Sequence, residues 1–387
     1  MVFQRRLRYK GVMWRVLIFL LVALAANAAE PKYPPLALGS PAPDFSLPGT
    51  DGRTYTLKDF ADAKLLAIIF TCNHCPTAQA YEERIKALVT DYRSRDVAVV
   101  AVNPNSPAAV RLDELGYTDL DDTLDAMKIR AADRKFNFPY LDDGPTEAFS
   151  KKCGPVATPH VFVFDAERKL RYQGRIDNNE REDLVKTRDT RDALDALLAG
   201  KEPKATTTKV FGCSTKWDDK ADSNRRWIEK VRKEPVTVSA VDAKALQELR
   251  ANKSGKVRLI NAWATWCGPC VAEFDDLIDI NLRFRHRDFE LVTVAAQFPD
   301  EKDKVLKFLQ QRHASTRNLY FGDIDKYKLI EALDPEWNGA LPHTLLIAPG
   351  GEIIYRHTGE VDFLELRRKI VPALNKIAPW PGMSDAR

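Results

Sequence analysis

The sequence contains the same plan twice, and this internal repeat limits the fold more than any other feature. In the first half, an apolar run of strand length leads into Cys72 and Cys75, which a helical hydrophobic pattern follows. In the second half, a similar apolar run leads into Cys267 and Cys270, again followed by a helical pattern. A repeat of this kind predicts two domains of one architecture.

The segments that follow each cysteine pair also correspond. A Pro-His dipeptide opens an apolar strand at Pro159 and again at Pro342, and a second strand carries Tyr172 in one copy and Tyr355 in the other. A further strand–helix unit lies between each cysteine pair and its proline. Strands that alternate with helices predict the α/β class, with a mixed sheet that an antiparallel hairpin completes.

The length of 387 residues fits two domains of ordinary size. We place the first at residues 34–217 and the second at residues 236–380. The segment 218–235 is polar and poor in apolar periodicity, so we interpret it as a linker. A composition of 44% hydrophobic and 29% charged residues is that of a globular protein and excludes general disorder.

The N-terminal segment has the three parts of a secretion signal. Basic residues precede the apolar run Val16–Ala26, and small residues follow it. Because the run is about half of the roughly 20 residues needed to span a bilayer, we favour a signal peptide at residues 1–29 over a membrane anchor. The protein is then periplasmic or secreted, and it contacts the membrane only through this segment if the segment is uncleaved.

The signal segment also accounts for the positive charge of the chain. It carries five basic and no acidic residues, so its removal would turn the formal net charge of +4 into −1. The remaining chain has mixed charges and no basic patch, so we expect no nucleic-acid partner.

The cysteine pairs are suited to thiol–disulfide exchange. A C-x-x-C loop is too short to stabilise a fold strongly, whereas a cysteine at a helix N-terminus is activated because the N–H groups there favour its thiolate. We therefore assign the attacking role to Cys72 and Cys267 and the resolving role to Cys75 and Cys270. Redox disulfides Cys72–Cys75 and Cys267–Cys270 follow from this assignment.

His74 distinguishes the first pair from the second. An imidazole close to the thiolate stabilises the reduced form, whereas Gly268 and Pro269 in the second pair offer no side-chain charge. We therefore expect the first pair to be the more oxidising of the two. The reduction potentials of C-x-x-C oxidoreductases span roughly 150 mV from the most reducing to the most oxidising.

The sequence supports a metal or cofactor site less well than it supports thiol–disulfide exchange. The four paired cysteines could hold zinc, but the two pairs are too far apart in sequence for a zinc ribbon. Haem attachment requires a histidine directly after the second cysteine, where Pro76 and Val271 stand. His160 and His343 could meet the active site or a copper ion, although a polar residue at a strand entrance is the simpler interpretation. We expect no metal and no cofactor.

The second domain resembles a known family. The sequence WATWCGPC, which ends at Cys270, and the sequence LPHT around Pro342 resemble the exported TlpA/ResA branch of the thioredoxin family. Asn261 stands where thioredoxin has a buried aspartate, so the resemblance implies another proton acceptor. Glu273 is the candidate, and the alternative is an exposed acid that favours the helix dipole.

The first domain resembles the redoxin family, which includes the AhpC/TSA thiol peroxidases. The resemblance is carried by the opening from Leu38 to Phe60, by the FTCNHCPTAQAYEERI segment and by FGCSTKW. Peroxidases of that family use T-x-x-C. When that motif is aligned on Cys75, Cys72 occupies the threonine position, which argues against antioxidant peroxidase activity and leaves it as an alternative.

The resemblance also implies roles for two prolines. In the family, the proline opposite the cysteine pair follows a cis peptide bond, which names Thr158–Pro159 and Leu341–Pro342. The alternative is a trans proline at a strand entrance.

Two cysteines lie outside the pairs. Cys153 and Cys213 are expected to form a structural disulfide, with an additional exchange relay or two free thiols as alternatives.

The sequence as a whole predicts an exported thiol–disulfide oxidoreductase. Its partners would be protein dithiol or disulfide clients and an upstream thiol reductant or oxidant. The alternatives are a thiol peroxidase in the first domain and a non-catalytic, redox-sensing scaffold.

Overall fold

The computed structural model describes residues 31–144, 146–322 and 325–380. The expected signal segment, residues 1–29, lies outside the described residues. Among the helices within these ranges, none combines the length and apolar character needed to cross a membrane.

The first domain is built on a five-stranded mixed sheet. The strands of the whole domain are β1 (Ser46–Pro48), β2 (Thr54–Thr56), β3 (Leu65–Phe70), β4 (Val97–Asn103), β5 (Tyr140–Asp142), β6 (Ala157–Thr158), β7 (His160–Phe164), β8 (Leu170–Gly174) and β9 (Cys213–Ser214). Its helices are α1 (Pro76–Tyr92), α2 (Leu124–Asp133), α3 (Ala148–Cys153) and α4 (Asp189–Leu198). The main sheet has the order β5-β4-β3-β7-β8, and β1 with β2 and β6 with β9 form separate two-stranded sheets.

Strand β3 is central because every one of its side chains is buried. It pairs in parallel with β4 and antiparallel with β7, so both of its edges are hydrogen-bonded within the sheet. Alternate residues of β3 then contribute to two hydrophobic clusters, one on each side of the sheet. Because a strand that is buried on both faces needs an apolar side chain at every position, its sequence is the continuous apolar run seen here.

The segment 218–235, expected to be a linker, is ordered and contains helix α5 (Ala221–Val231). Trp227 and Val231 pack against the core of the second domain. Asn224 Nδ2 donates to the carbonyl oxygen of Ala108 in the first domain over 2.9 Å. The apolar stripe of this helix is narrow, which is why its composition indicated a linker. The domain boundaries remain predictions.

The second domain has a six-stranded mixed sheet. Its strands are β10 (Ser239–Val241), β11 (Val257–Trp263), β12 (Phe289–Ala295), β13 (Arg317–Phe321), β14 (His343–Ile347) and β15 (Ile353–Thr358). Its helices are α6 (Ala243–Ala251), α7 (Gly268–Phe284), α8 (Lys302–Gln311), α9 (Lys326–Leu333) and α10 (Phe363–Ile377). The strand order is β10-β13-β12-β11-β14-β15.

The five strands of the first sheet, β5-β4-β3-β7-β8, correspond in order to β13-β12-β11-β14-β15 of the second, which has β10 in addition. In each, a buried central strand pairs in parallel on one side and antiparallel with the proline-preceded strand on the other. The two tyrosines that marked the repeat take matching places, since Tyr172 lies opposite Val163 and Tyr355 lies opposite Leu346. The predicted α/β class with two thioredoxin-like domains, each a mixed sheet flanked by helices, is confirmed.

The domains contact each other through a loop of the first and the end of helix α7. Arg283 Nη1 donates to the carbonyl oxygen of Thr118 over 3.0 Å, and Arg287 Nη1 donates to that of Gly116 over 2.8 Å. The Arg287 guanidinium also lies 4.0 Å from the centre of the Tyr117 ring. The same loop leads on to Asp122, which belongs to the first cysteine site.

Candidate active site

The first cysteine pair lies between strand β3 and helix α1 and is almost inaccessible to solvent. Cys72 is 2% exposed and Cys75 is fully buried. Both sulfurs meet Thr158: Cys72 Sγ lies 3.2 Å from its hydroxyl oxygen, and Cys75 Sγ lies 3.3 Å from its carbonyl oxygen. Thr158 precedes Pro159 through a cis peptide bond, as the resemblance implied.

The start of helix α1 differs from the expectation. Cys75, and not Cys72, is the N-cap residue, and its Sγ accepts a hydrogen bond from the N–H of Ala78 over 3.4 Å. Pro76 suits the first helical position because it needs no hydrogen-bond partner there. The preceding turn stays outside the helix because the N–H groups of Asn73 and His74 donate to the carboxylate of Asp122. The helix-terminal stabilisation expected for Cys72 therefore acts on Cys75.

His74 is paired with a carboxylate that the sequence did not indicate. Its Nδ1 lies 2.5 Å from Oδ2 of Asp122, and both side chains are buried. Asn105 Nδ2 donates to the same carboxylate oxygen over 2.8 Å. Burial opposes both charges, but their mutual attraction raises the pKa of His74 and lowers the pKa of Asp122. The site therefore contains a buried ion pair.

The pKa values of the two sulfurs of this site are shifted in opposite directions. Burial disfavours both thiolates, but hydrogen bonds from Cys213 and Cys72 and the charge of His74 hold the pKa of Cys75 well below its ordinary value. Burial and the negative charge of Asp122 hold the pKa of Cys72 well above its ordinary value. The expected tuning by His74 thus favours the thiolate of Cys75.

The expected disulfide between Cys153 and Cys213 is absent, and both residues are free thiols. Cys153 is fully buried in a hydrophobic cluster with Phe45 and Phe149. Cys213 instead packs against the first cysteine pair, because strand β9 pairs with β6 directly beside Pro159. The two residues therefore belong to different surroundings, and the structural disulfide was a wrong prediction.

The second cysteine pair has the expected arrangement. Cys267 is the N-cap residue of α7, and its Sγ accepts from the N–H of Cys270 over 3.3 Å. The two sulfurs form a disulfide with an S–S distance of 2.04 Å. The bond between Leu341 and Pro342 is cis, as in the first domain.

Glu273 lies one turn after Cys270 and is only 6% exposed, so it is not the exposed acid of the alternative interpretation. Asn261 Nδ2 donates to one carboxylate oxygen over 3.3 Å, and the N–H of Val361 donates to the other over 3.1 Å. Burial raises the pKa of Glu273 above that of an ordinary glutamate. Its use as a proton acceptor remains a prediction.

The two histidines after the prolines do not reach the sulfurs through any hydrogen bond in the described ranges. His160 is buried against Phe162, and burial lowers its pKa to about 3. His343 lies between Thr358 and Asp334, with its ring stacked on Trp337. Both contacts fit the simpler interpretation, a polar residue at a strand entrance.

One group within the described residues has the geometry to hold a metal ion. Potential ligand atoms of Cys72, His74 and Asp122 all lie within 4.8 Å of one another. The imidazole and the carboxylate of this group are, however, already hydrogen-bonded to each other. The expectation of a metal-free site concerned the four paired cysteines and did not consider this group.

Comparison with known proteins identifies the family of both domains. The family model described as Redoxin matches residues 37–194 and, separately, residues 212–368. The chain belongs to the Redoxin family. Each matched segment of this Redoxin chain contains one C-x-x-C pair, and the predicted tandem organisation is confirmed. Family membership, together with the names of the curated relatives, confirms the predicted enzyme class, a thioredoxin-like oxidoreductase.

Curated relatives of this Redoxin protein are named thiol:disulfide interchange protein or thiol-disulfide oxidoreductase. CycY of Rhizobium leguminosarum bv. viciae is 27% identical over 155 residues, which are 38% of this chain and 73% of the relative. DsbE of Yersinia pestis is 31% identical over 124 residues, 32% of this chain and 60% of the relative. The thiol-disulfide oxidoreductase ResA of Oceanobacillus iheyensis is 30% identical, and the match covers 26% of this chain and 47% of the relative.

Solved structures match about half of the chain. A hypothetical protein from Sinorhizobium meliloti 1021 is 34% identical, with a TM-score of 0.42, and the match covers 47% of this chain and 95% of that protein. An uncharacterized conserved protein from Geobacillus kaustophilus is 31% identical, also with a TM-score of 0.42, and the match covers 47% of this chain and 93% of that protein.

Proposed function

We propose that this Redoxin protein exchanges dithiols and disulfides of protein clients at two centres, Cys72/Cys75 and Cys267/Cys270. The main support is the repeated position of the pairs. Each pair connects a buried central strand to a helix, and each domain has a cis proline at the entrance of the neighbouring antiparallel strand. The names of the curated relatives agree with this chemistry.

At the second centre, the Cys267–Cys270 disulfide accepts electrons from an upstream dithiol. The reduced Cys267 then attacks a client disulfide and forms a mixed disulfide, and Cys270 attacks this bond and releases the reduced client. Cys267 suits the first step because it lies at the helix N-terminus, where a thiolate is stabilised.

At the first centre the roles are reversed relative to sequence order. Cys75 carries the stabilised thiolate, and Cys72 is the neighbouring thiol, whose Sγ lies against the hydroxyl oxygen of Thr158. A stabilised thiolate is a good leaving group and makes the disulfide easier to reduce. This supports a first centre that is more oxidising than the second.

Export through a signal peptide at residues 1–29 is part of the proposal. Its support is the basic start, the apolar run and the small residues of that segment. Outside the cytoplasm, disulfides persist and exchange catalysts have clients.

Peroxide reduction by the first domain is the second candidate. Cys75 is buried at a helix N-cap and accepts N–H hydrogen bonds. It also takes the place of the reactive cysteine when the sequence is aligned with the T-x-x-C motif of the AhpC/TSA peroxidases. Cys72 takes the place of the threonine of that motif.

Trapping of clients on the full chain tests the proposal. Cys270→Ser should retain a disulfide-containing client on Cys267, and Cys72→Ser/Cys213→Ser, which also removes the cysteine beside Cys75, should retain one on Cys75, each as a mixed disulfide found by mass spectrometry. Variants that lack both cysteines of one centre serve as matched controls and should lose the adduct at that centre. Absence of any adduct, together with turnover of hydrogen peroxide that depends on Cys75, would favour the peroxidase.

A further inference from the structure

The site of the first pair contains a third sulfur. Strand β9 pairs antiparallel with β6, and this register puts Cys213 opposite Thr158, the residue that contacts both Cys72 and Cys75. The N–H of Cys213 donates to Cys75 Sγ over 3.3 Å. Cys213 also packs against the small cluster formed by Cys72, Cys75 and Ala78. Cys213 is therefore a direct neighbour of a redox sulfur.

The close approach of strand β9 depends on the residue before Cys213. Gly212 has φ of +131°, which disfavours other residues, and a Cβ at this position would overlap the carbonyl oxygen of Thr158. The glycine thus lets the chain pass directly over the cis-proline segment. The contact between Cys213 and the pair is a consequence of this passage.

The three sulfurs differ in accessibility. Cys72 is 2% exposed and Cys75 is 0% exposed, so an external thiol cannot reach either without movement of the chain. Cys213 is half-buried and so more exposed than either cysteine of the pair. An attacking thiolate must approach the sulfur along the line of the bond that it breaks, so access decides which sulfur it can attack.

We propose that Cys213 is a third redox cysteine of the first centre. It exchanges with the Cys72–Cys75 disulfide, so that the disulfide is transferred to a sulfur that external thiols can attack. The inference rests on the proposed disulfide exchange and adds the route by which external thiols use the buried pair. Its ligand class is a small or protein-bound thiol.

The internal step needs no added oxidant. The Cys213 thiol attacks Cys75 Sγ, so that the Cys75–Cys213 bond forms and the Cys72–Cys75 bond breaks. The proton lost by Cys213 goes to Cys72, which leaves as a neutral thiol. Two sulfurs remain oxidised and one remains reduced throughout, so atoms and electrons balance.

The external step uses two thiols. The first releases its proton to solvent, attacks Cys213 Sγ as a thiolate and forms a mixed disulfide, and Cys75 leaves as the thiolate that the N–H groups of Ala78 and Cys213 stabilise. The second thiol attacks the mixed disulfide, and it releases the external disulfide and the reduced Cys213. The external thiols are oxidised by two electrons and the first centre is reduced by the same number.

Disulfide mapping of the full chain tests the internal step. After treatment of Cys72→Ser with oxidised glutathione and alkylation, peptide mapping should show a Cys75–Cys213 disulfide. A glutathione adduct on Cys75 with an alkylated Cys213 would overturn the proposal, and so would a Cys153–Cys213 disulfide. The double variant Cys72→Ser/Cys213→Ser is the control in which the new disulfide cannot form.

Reduction kinetics test the external step. Reduced glutathione should reduce the first centre of Cys213→Ser on the order of tenfold more slowly than that of the unaltered chain. Cys153→Ser, which removes the other unpaired cysteine, should keep the unaltered rate. An unaffected Cys213→Ser variant overturns the role of Cys213 alone, whereas an unaltered chain that does not exchange with glutathione overturns the proposed function as well.

Discussion

Nδ1 of His74 lies 2.5 Å from Oδ2 of Asp122, and both groups are buried beside the first cysteine pair. The carboxylate also accepts the backbone N–H groups of Asn73 and His74, so one side chain shapes the cysteine loop and charges the imidazole. A charged His74 favours the thiolate of Cys75. The oxidising character proposed for this centre therefore depends on Asp122.

Replacement of Asp122 should weaken the Cys75 thiolate. In Asp122→Asn, His74 loses the charge that raises its pKa, so the pKa of Cys75 should move back up towards that of an ordinary thiol. The ultraviolet absorbance of the thiolate, followed against pH in a Cys267→Ser/Cys270→Ser background, measures this. Asp125→Asn removes an exposed carboxylate of helix α2 and is the control. Identical titrations of the two variants would show that Asp122 does not act on Cys75.

The first centre should be more oxidising than the second. Each centre can be equilibrated with glutathione in a chain whose other pair is changed to serine. We expect a difference of at least about 30 mV, which corresponds to tenfold in the equilibrium constant, and His74→Ala should reduce it. Equal potentials or the opposite order would contradict the roles given to His74 and Asp122.

His160 should make the first domain sensitive to acid. Burial lowers its pKa to about 3 in the folded chain, whereas in the unfolded chain it binds a proton below its ordinary pKa, near 6.5. Stability is therefore lost as the pH falls from about 6.5 towards 3, by an amount on the order of 4 kcal/mol.

Urea unfolding across this pH range measures the effect. His160→Asn keeps an acceptor near the N–H of Val156, which His160 Nδ1 now accepts over 3.3 Å, and it should remove that part of the pH dependence. His286→Gln changes an exposed histidine and should leave the dependence as it is. A His160→Asn variant with an unchanged acid slope would refute the prediction.

Glu273 should act as the proton acceptor of the second centre. Because burial raises its pKa, client reduction at this centre should increase with pH as Glu273 ionises. Glu273→Gln keeps the size of the side chain and one of the two acceptor oxygens but cannot take a proton, so we expect a rate loss on the order of a hundredfold and no such pH dependence.

The matched control for Glu273 is Asp276→Asn, an exposed acid on the same helix. The measurement is the pH–rate profile of disulfide reduction in a Cys72→Ser/Cys75→Ser background. A Glu273→Gln enzyme whose profile keeps its shape would mean that Glu273 only positions its neighbours.

The sequence was sufficient where the signal is local. The apolar run Leu65–Phe70 and the similar run before Cys267 predicted the central strands, because a strand covered on both faces needs apolar side chains at every position. The matched order of cysteine pair, proline and tyrosine predicted that both sheets have the same plan.

The remaining features depend on contacts between distant segments. Asp122 is 48 residues from His74 and belongs to no motif, and Cys213 reaches Cys75 through a two-residue strand pair that no periodicity reveals. The start of helix α1 at Pro76 depends in turn on the hydrogen bonds that the N–H groups of Asn73 and His74 donate to Asp122. The expected Cys153–Cys213 disulfide was wrong for the same reason, because the two-residue strand pair places Cys213 beside Thr158.

The most direct test of two-centre exchange is the reduction of insulin by dithiothreitol, with the full chain as catalyst. Variants with serine at Cys72 and Cys75, at Cys267 and Cys270, or at all four positions are compared with the unaltered chain. Each double variant should keep part of the activity, and the fourfold variant should fall to the rate of dithiothreitol alone. A fourfold variant that is as active as the unaltered chain, or one pair that carries all the activity, would contradict exchange at two centres.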